Sequence, residues 1–252
     1  MKDVAVLGVG MHRFGMWADR SNADMLREAG LAALDDAGIT FRDVGTAYVG
    51  YIFAGVMAGI RGMKELGLTG IPILHVENAS ATGACAFREA CRAVASGEVE
   101  VAMAVGFDKM TELVQQQMGQ GGTSAAEMDD VLLPAGFFAL WATRRMHERG
   151  TKAEHLAKIA AKNWNNGSKN PMSQRQPDES VSVEKVLQSR MVAWPLTTMM
   201  SCPIGDGAAV AIVGRKELAK KLRPDRPVVS VVASTLRSET YERGHLFLGP
   251  VV

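Results

Sequence analysis

The chain has 252 residues, enough to bury a substantial core in one large domain or two modest ones. Its 47% hydrophobic and 22% charged content is that of an ordinary globular protein, and a formal net charge of +1 makes no electrostatic case for nucleic acid or an anionic membrane. Three cysteines (Cys85, Cys91 and Cys202) show neither metal spacing nor a disulfide framework, the start MKDVAVLGVGM is too short and too acidic for a signal peptide, and no apolar run reaches membrane-spanning length. A protein of the reducing cytoplasm, with no bound metal, is expected.

In chain order, residues 3–9 read as a buried-type strand ended by Gly8-Val9-Gly10-Met11. The stretch GVGMHRFG lacks the G-x-G-x-x-G spacing and leads into no helix, so it is not read as a dinucleotide loop. Residues 21–36 form a helix, opened by the capping-box-like Ser21-x-x-Asp24 and stopped by Gly38. Residues 46–51 are a second strand, and residues 53–68 are Gly- and Met-rich with helical stretches.

The stretch ILHVENASATGACAFREACRAVASGEVEVAMAVGFDKM (residues 73–110) organises the rest. Residues 73–76 are an apolar strand ended by the turn Glu77-Asn78. A helix follows with Ala84, Phe87, Cys91 and Val94 on one face and Gly97 as its C-cap, and residues 100–105 make the next strand. A right-handed parallel crossover leaves the turn at the C-terminal edge of the sheet, where ligands bind. Ser80 sits in that turn. At a helix N-terminus an anion is stabilised by free N–H groups, which suits a nucleophile with its oxyanion donors; from spacing alone, however, Ser80 or Thr82 reads first as a simple N-cap, the commoner role for these residues.

After Met110 the chain changes character. Residues 115–130 are polar and Gly-rich and read as an exposed loop; residues 132–149 form a helix with Phe137, Phe138 and Trp141; a further helix runs from Thr151 to about Asn165. A loop, a short element over residues 183–191 and Trp194-Pro195 follow. CPIGDGAA (residues 202–209) then enters a strand over residues 210–213, with a charged helix over residues 215–222 and one more strand over residues 227–234.

VENASATGA followed by REACRAVASGEVEVAMAVGFDKM resembles the nucleophile segment of the thiolase superfamily, in its sterol-carrier-protein, or lipid-transfer-protein, branch. The family turn Asn-x-Cys-x-Thr/Ser-Gly falls on Asn78, Ala79, Ser80, Ala81, Thr82 and Gly83, with serine at the nucleophilic position. GTKAEHLAKIAAKNWNNGSKNP, SRMVAWPLT and CPIGDGAA extend the likeness. The resemblance implies an α/β fold: a thiolase N-terminal layer with a five-stranded mixed sheet in the order 3-2-1-4-5 (strands counted along the chain), flanked by helices. Its N-terminal domain would span residues 1–110 and 199–225, a lid insertion that helps receive coenzyme A residues 111–198, and the start of the second half residues 226–252. It assigns the nucleophile position to Ser80 and oxyanion or turn support to Asn78, Thr82, Gly83, Asp206 and Gly207. It implies a coenzyme A thioester as substrate with no further cofactor, a homodimer packed through residues 53–68, and a small OB-fold partner.

The family's Asn/His loop, Gly-His-Pro histidine and second cysteine are not matched; Gly244-His245-Leu246 is not Gly-His-Pro, and His12, His75, His147 and His155 read as structural or solvated. A thiol at a helix N-terminus ionises near neutral pH, whereas a serine hydroxyl needs an adjacent base. Three readings follow: retro-aldol cleavage of a β-hydroxyacyl-CoA, as in sterol side-chain degradation; a conventional acetyl-CoA acyltransferase with a substituted or engineered nucleophile; and a non-catalytic binding or assembly subunit.

Overall fold

In the computed structural model, the described residues are 3–112 and 134–238. Contacts divide them into two compact units, residues 3–112 with 205–236, and residues 134–204 with 237–238. The expected loop over residues 115–130, the first two residues of the helix expected from residue 132, and His245 lie outside the described residues.

The first unit opens with β1 (Val4–Met11) and α1 (Asn22–Ala37). Helix α1 starts as its sequence dictates. Ser21 Oγ accepts the Asp24 N–H at 3.1 Å, Asp24 Oδ2 accepts the Ser21 N–H at 3.0 Å, and Gly38 closes the helix in the left-handed region at φ 71°. The glycines of β1 have a packing reason, since a Cβ on Gly8 or Gly10 would overlap the backbone of Ala33 and Ala37 or of Ala29 and Ala33. The small face of α1 therefore lies directly on the strand.

Strand β2 (Thr46–Gly50), the short α2 (Ala58–Met63), β3 (Ile73–Val76), α3 (Thr82–Ser96) and β4 (Val101–Lys109) follow. In α3 the buried face is Cys85, Ala86, Ala90, Cys91, Ala93 and Val94, and Gly97 ends it at φ 81°.

The second unit holds α4 (Pro134–Arg149), α5 (Ala153–Gly167), α6 (Val183–Gln188) and the strand pair β5 (Met191–Ala193) and β6 (Leu196–Thr197). Its small core gathers Ala157, Ala160, Ala161, Val181 and Val186. Trp164 Nε1 donates to the Met199 carbonyl at 2.9 Å, and the Arg175 guanidinium lies 4.3 Å over the Trp164 ring. The chain then returns to the first unit through β7 (Asp206–Arg215), α7 (Lys216–Leu222) and β8 (Val229–Ser230).

Strands β3, β2, β4, β7, β1 and β8 form one mixed sheet in that order. Strands β2, β3 and β4 are mutually parallel, and β7 is antiparallel to both its neighbours. Counting the five expected strands along the chain gives 3-2-4-5-1, which corrects the expected 3-2-1-4-5. The reason lies in the last long strand. DGAAVAIVGR is buried at seven of its ten positions and carries small side chains on both faces, so it fills a central place and displaces β1 outward. The strand expected over residues 227–234 contributes a two-residue ladder, Ser230 opposite Ala5 and Val229 opposite Val6, as a sixth member. One core face packs α1 through Met25, Leu26, Ala29 and Ala33 onto Met103, Val105 and Ile212; the other packs Ala90, Cys91 and Val94 of α3 onto Ala102, Ala104 and Val213.

Candidate active site

The parallel strands β2, β3 and β4 end at one edge, and the turn from β3 into α3 lies there. Two glycines let it come close. A Cβ on Gly50, the last residue of β2, would fall 2.6 Å from Thr82 Cγ2, and one on Gly106 of β4 would lie 3.5 Å from the Gly83 Cα.

Residues Ala79–Ala81 form a 3-10 turn that runs into α3, so Ser80 stands two residues before the first residue of the helix, Thr82, rather than within its first α-helical turn. Ala79 is held in the left-handed region at φ 43°, a conformation that costs a non-glycine residue about 1–2 kcal/mol. Three contacts hold it there. Glu77 Oε1 accepts the Ala79 N–H at 2.6 Å, Thr82 Oγ1 donates to the Ala79 carbonyl at 2.6 Å, and the same hydroxyl oxygen accepts the Asn78 N–H at 2.8 Å. Asn78 Nδ2 donates to Cys85 Sγ at 3.1 Å, tying the turn to a buried side chain one turn into α3. Thr82 is buried, while Ser80 is exposed, and among the described residues neither its hydroxyl nor its N–H has a hydrogen-bond partner. Neither Ser80 nor Thr82 caps α3 with its side chain. The turn thus presents a free hydroxyl and a free N–H at the head of a 15-residue helix.

Asp206 and Gly207 do a different job. Asp206 is fully buried at the start of β7. Its Oδ1 accepts the Thr111 N–H at 2.9 Å, and its Oδ2 accepts the Trp17 N–H at 3.0 Å and the Thr111 hydroxyl at 2.6 Å. Gly207 is a glycine because the Phe14 ring lies on it, 2.7 Å from where a Cβ would stand. These two residues fix the segments after β1 and β4. They share the sheet edge with the Ser80 turn, but among the described residues no hydrogen bond joins them to Asn78, Ser80, Thr82 or Gly83.

Two residues at this edge were not singled out as site residues from the sequence. Asp108 accepts the N–H groups of Ile52 at 2.9 Å and Phe53 at 3.0 Å, and burial pushes its carboxyl above the usual range against the pull of those N–H groups and of His75. His75 stacks on Tyr51 with ring centroids 3.9 Å apart and places Nε2 2.9 Å from the Tyr51 carbonyl. Only the strand position of His75 was legible beforehand. His12 is buried, edge-on to Trp17 at 5.5 Å, and takes no part in the turn. Among the described residues no group of three His, Cys, Asp or Glu side chains is placed to hold a metal ion, and no helix is long and apolar enough to cross a membrane.

Residues 4–217 match the model of the thiolase N-terminal domain. The chain belongs to the thiolase family. An acetyl-CoA acetyltransferase of Methanothermobacter thermautotrophicus is 39% identical over 248 residues, covering 95% of this chain and 63% of that protein. Human sterol carrier protein 2 is 32% identical over 263 residues, covering 95% of this chain and 46% of that protein. The solved Ltp2-ChsH2(DUF35) aldolase superposes with a TM-score of 0.72 at 25% identity, over 86% of this chain and 57% of that one. Human mitochondrial 3-ketoacyl-CoA thiolase in complex with CoA shares the fold, with a TM-score of 0.65 at 17% identity over 87% of this chain and 66% of that one. The chain thus spans from under half to under two thirds of the length of the curated relatives named here. Within a thiolase, the strand–turn–helix bearing Ser80 is the element the sequence resemblance marks as the nucleophile segment.

Proposed function

We propose that this thiolase acts on a carbon–carbon bond of an acyl-CoA thioester without an acyl-enzyme step, by retro-aldol cleavage of a β-hydroxyacyl-CoA. A base takes the β-hydroxyl proton and the Cα–Cβ bond breaks. Its electron pair passes to the thioester as an enolate, and Cα is then protonated. The products are a carbonyl compound and a shortened acyl-CoA. The reaction asks for donors to an enolate oxygen and no nucleophile. The observation that carries the reading is Ser80 itself: an exposed serine at the head of α3 whose N–H is free and whose hydroxyl, among the described residues, has no side chain hydrogen-bonded to it to act as its base.

In this reading Ser80 N–H belongs to the oxyanion site, Asn78, Thr82 and Gly83 shape the turn, and Asp206 and Gly207 hold the neighbouring backbone. Residues 111–198 are the lid insertion and residues 226–252 open a second half. The likeness to a solved aldolase named for two components, Ltp2 and ChsH2(DUF35), favours a small partner protein here too. A homodimer is favoured by exposed apolar side chains near the free edge of β3: Phe53, Val56, Met57, Leu68 and Leu74.

The 39% identity to an acetyl-CoA acetyltransferase favours the second reading, acyl transfer through Ser80. One experiment separates the two. The protein is incubated with a β-hydroxyacyl-CoA, and separately with acetyl-CoA, and products and intact mass are recorded. Release of a carbonyl compound with no mass gain on the protein is expected. An acetyl adduct on Ser80 would transfer the assignment to acyl transfer, and no turnover with either thioester would leave a binding subunit.

A further inference from the structure

The edge that carries the Ser80 turn also carries a clamp on the end of β2. The chain leaves β2 at Gly50 and continues through Tyr51, Ile52, Phe53 and Ala54. Asp108 grips this segment from β4, one carboxylate oxygen on the Ile52 N–H at 2.9 Å and the other on the Phe53 N–H at 3.0 Å, with the Ala54 N–H adding to the same charge. His75 grips it from β3 through its Nε2 on the Tyr51 carbonyl and its ring on the Tyr51 ring, which rests in turn on Phe107 at 5.2 Å. Carboxylate-to-amide hydrogen bonds are among the stronger kinds, and two on one side chain fix the direction of the segment as well as its place.

The clamped segment adjoins the nucleophile turn. Gly50 immediately precedes it and abuts Thr82. Asp108 lies two residues beyond Gly106, which abuts Gly83, and alternate residues of a strand share a face, so Asp108 is on the α3 side of the sheet. Ile52 and Phe53, 37% and 48% exposed, are thereby held at the rim of the same edge.

We propose that Asp108 is a positioning residue for the reaction: it holds Tyr51–Ala54 as a fixed wall beside the Asn78–Gly83 turn and so sets the geometry in which the turn meets its thioester. The inference rests on the function proposed above for that turn. It does not need Asp108 to touch the substrate, and a carboxylate occupied by two or three N–H groups is poorly placed to move a proton.

The test compares the unsubstituted protein with Asp108→Asn, which keeps the volume but puts an amide N–H against one of the two backbone N–H groups, and with His75→Phe, which keeps the stacking and removes the Nε2 contact. Amide hydrogen exchange is followed over residues 51–54 and 78–83, with kcat and KM for the cleaved thioester. Asp108→Asn is expected to speed exchange at least tenfold in both segments while distant β7 amides stay protected, and to lower kcat about tenfold with KM within twofold. His75→Phe gives the same pattern more weakly. If the wild-type protein turns over no thioester, the functional assignment fails on its own. The clamp is then judged by exchange and by the alkylation rate of Ser80→Cys with and without Asp108→Asn, which should differ at least threefold. Exchange that rises only at residues 52–54, or not at all, overturns the proposal, as does an unchanged kcat or alkylation rate.

Discussion

Replacing Gly50 by alanine tests the packing that places the nucleophile turn. The added Cβ would lie 2.6 Å from Thr82 Cγ2, 3.1 Å from its carbonyl oxygen and 3.2 Å from its carbonyl carbon. Ordinary carbon–carbon contact needs about 3.5–4.0 Å, so Thr82 must retreat by about 1 Å. Its methyl cannot turn aside cheaply, because the Thr82 hydroxyl is fixed by the Asn78 N–H at 2.8 Å and the Ala79 carbonyl at 2.6 Å. The strain of such overpacking is about 1–3 kcal/mol. For a chain of this size that lowers Tm by roughly 3–9 °C. A 1 Å displacement of the reacting geometry costs up to about 100-fold in rate. Gly83→Ala is the counterpart: a Cβ there meets nothing within 4 Å, so stability should hold or rise by about 0.4–1 kcal/mol. Calorimetry and amide exchange over residues 78–83 read both variants. If Gly50→Ala melts within 1 °C of the wild type with unchanged exchange at the turn, the reasoning about this packing is wrong.

Gly10→Ala should be far more damaging, about 3 kcal/mol or more, because its Cβ meets α1 backbone rather than a side chain that can move; urea unfolding of the soluble fraction measures it. Of the three cysteines, exposed Cys202 should react rapidly with a thiol reagent at pH 8. Buried Cys85, and Cys91, whose thiol burial pushes up to about 11, should react only on unfolding, as timed thiol titration will reveal. Asp206→Asn must set its amide N–H against the Trp17 or the Thr111 N–H whichever way it flips, and leaving one buried donor unpaired should cost about 1–3 kcal/mol in chemical denaturation.

The elements that were legible in the sequence are those whose own residues decide them. Ser21 with Asp24 opens α1 and Gly38 ends it; Gly97 ends α3; the apolar run at residues 73–76 is a strand at those bounds. Strand order was not legible, since it depends on which strand is best buried on both faces, a comparison between β1 and β7 that no local pattern makes. The Ser80 turn was located by its motif, but its internal geometry was not. The left-handed Ala79 defies its residue type and is held by Glu77 and Thr82 from either side. Asp108 was hidden for a related reason. Its partners are backbone N–H groups more than 50 residues earlier, and a backbone donor leaves no trace in side-chain spacing.

Ser80→Cys carries the chemical argument furthest. The head of α3 favours an anion by ~1 kcal/mol, close to one pKa unit. A thiol with an ordinary value near 8.5 would then ionise substantially at neutral pH, while an aliphatic hydroxyl gains nothing useful from the same shift. No acidic residue occupies the first turn of α3 to oppose it, and Glu77 nearby has a carboxylate oxygen committed to the Ala79 N–H. The chain supplies its own comparison: Cys85 and Cys91 lie on the same helix but are buried, and Cys91 is held in its neutral form. Ser80→Cys should therefore add one fast-reacting, exposed thiol to that of Cys202, with a rate that rises between about pH 7 and 8, and it should take up an acetyl group from acetyl-CoA that the wild-type protein does not. Peptide mapping after brief alkylation and intact mass after acetyl-CoA treatment decide both points. A Ser80→Cys protein no more reactive than the wild type would mean that the turn does not present its side chain to solvent at the helix head. An acetyl group found on the wild-type Ser80 would mean that a base reaches the hydroxyl after all, and the protein would be an acyltransferase acting through serine.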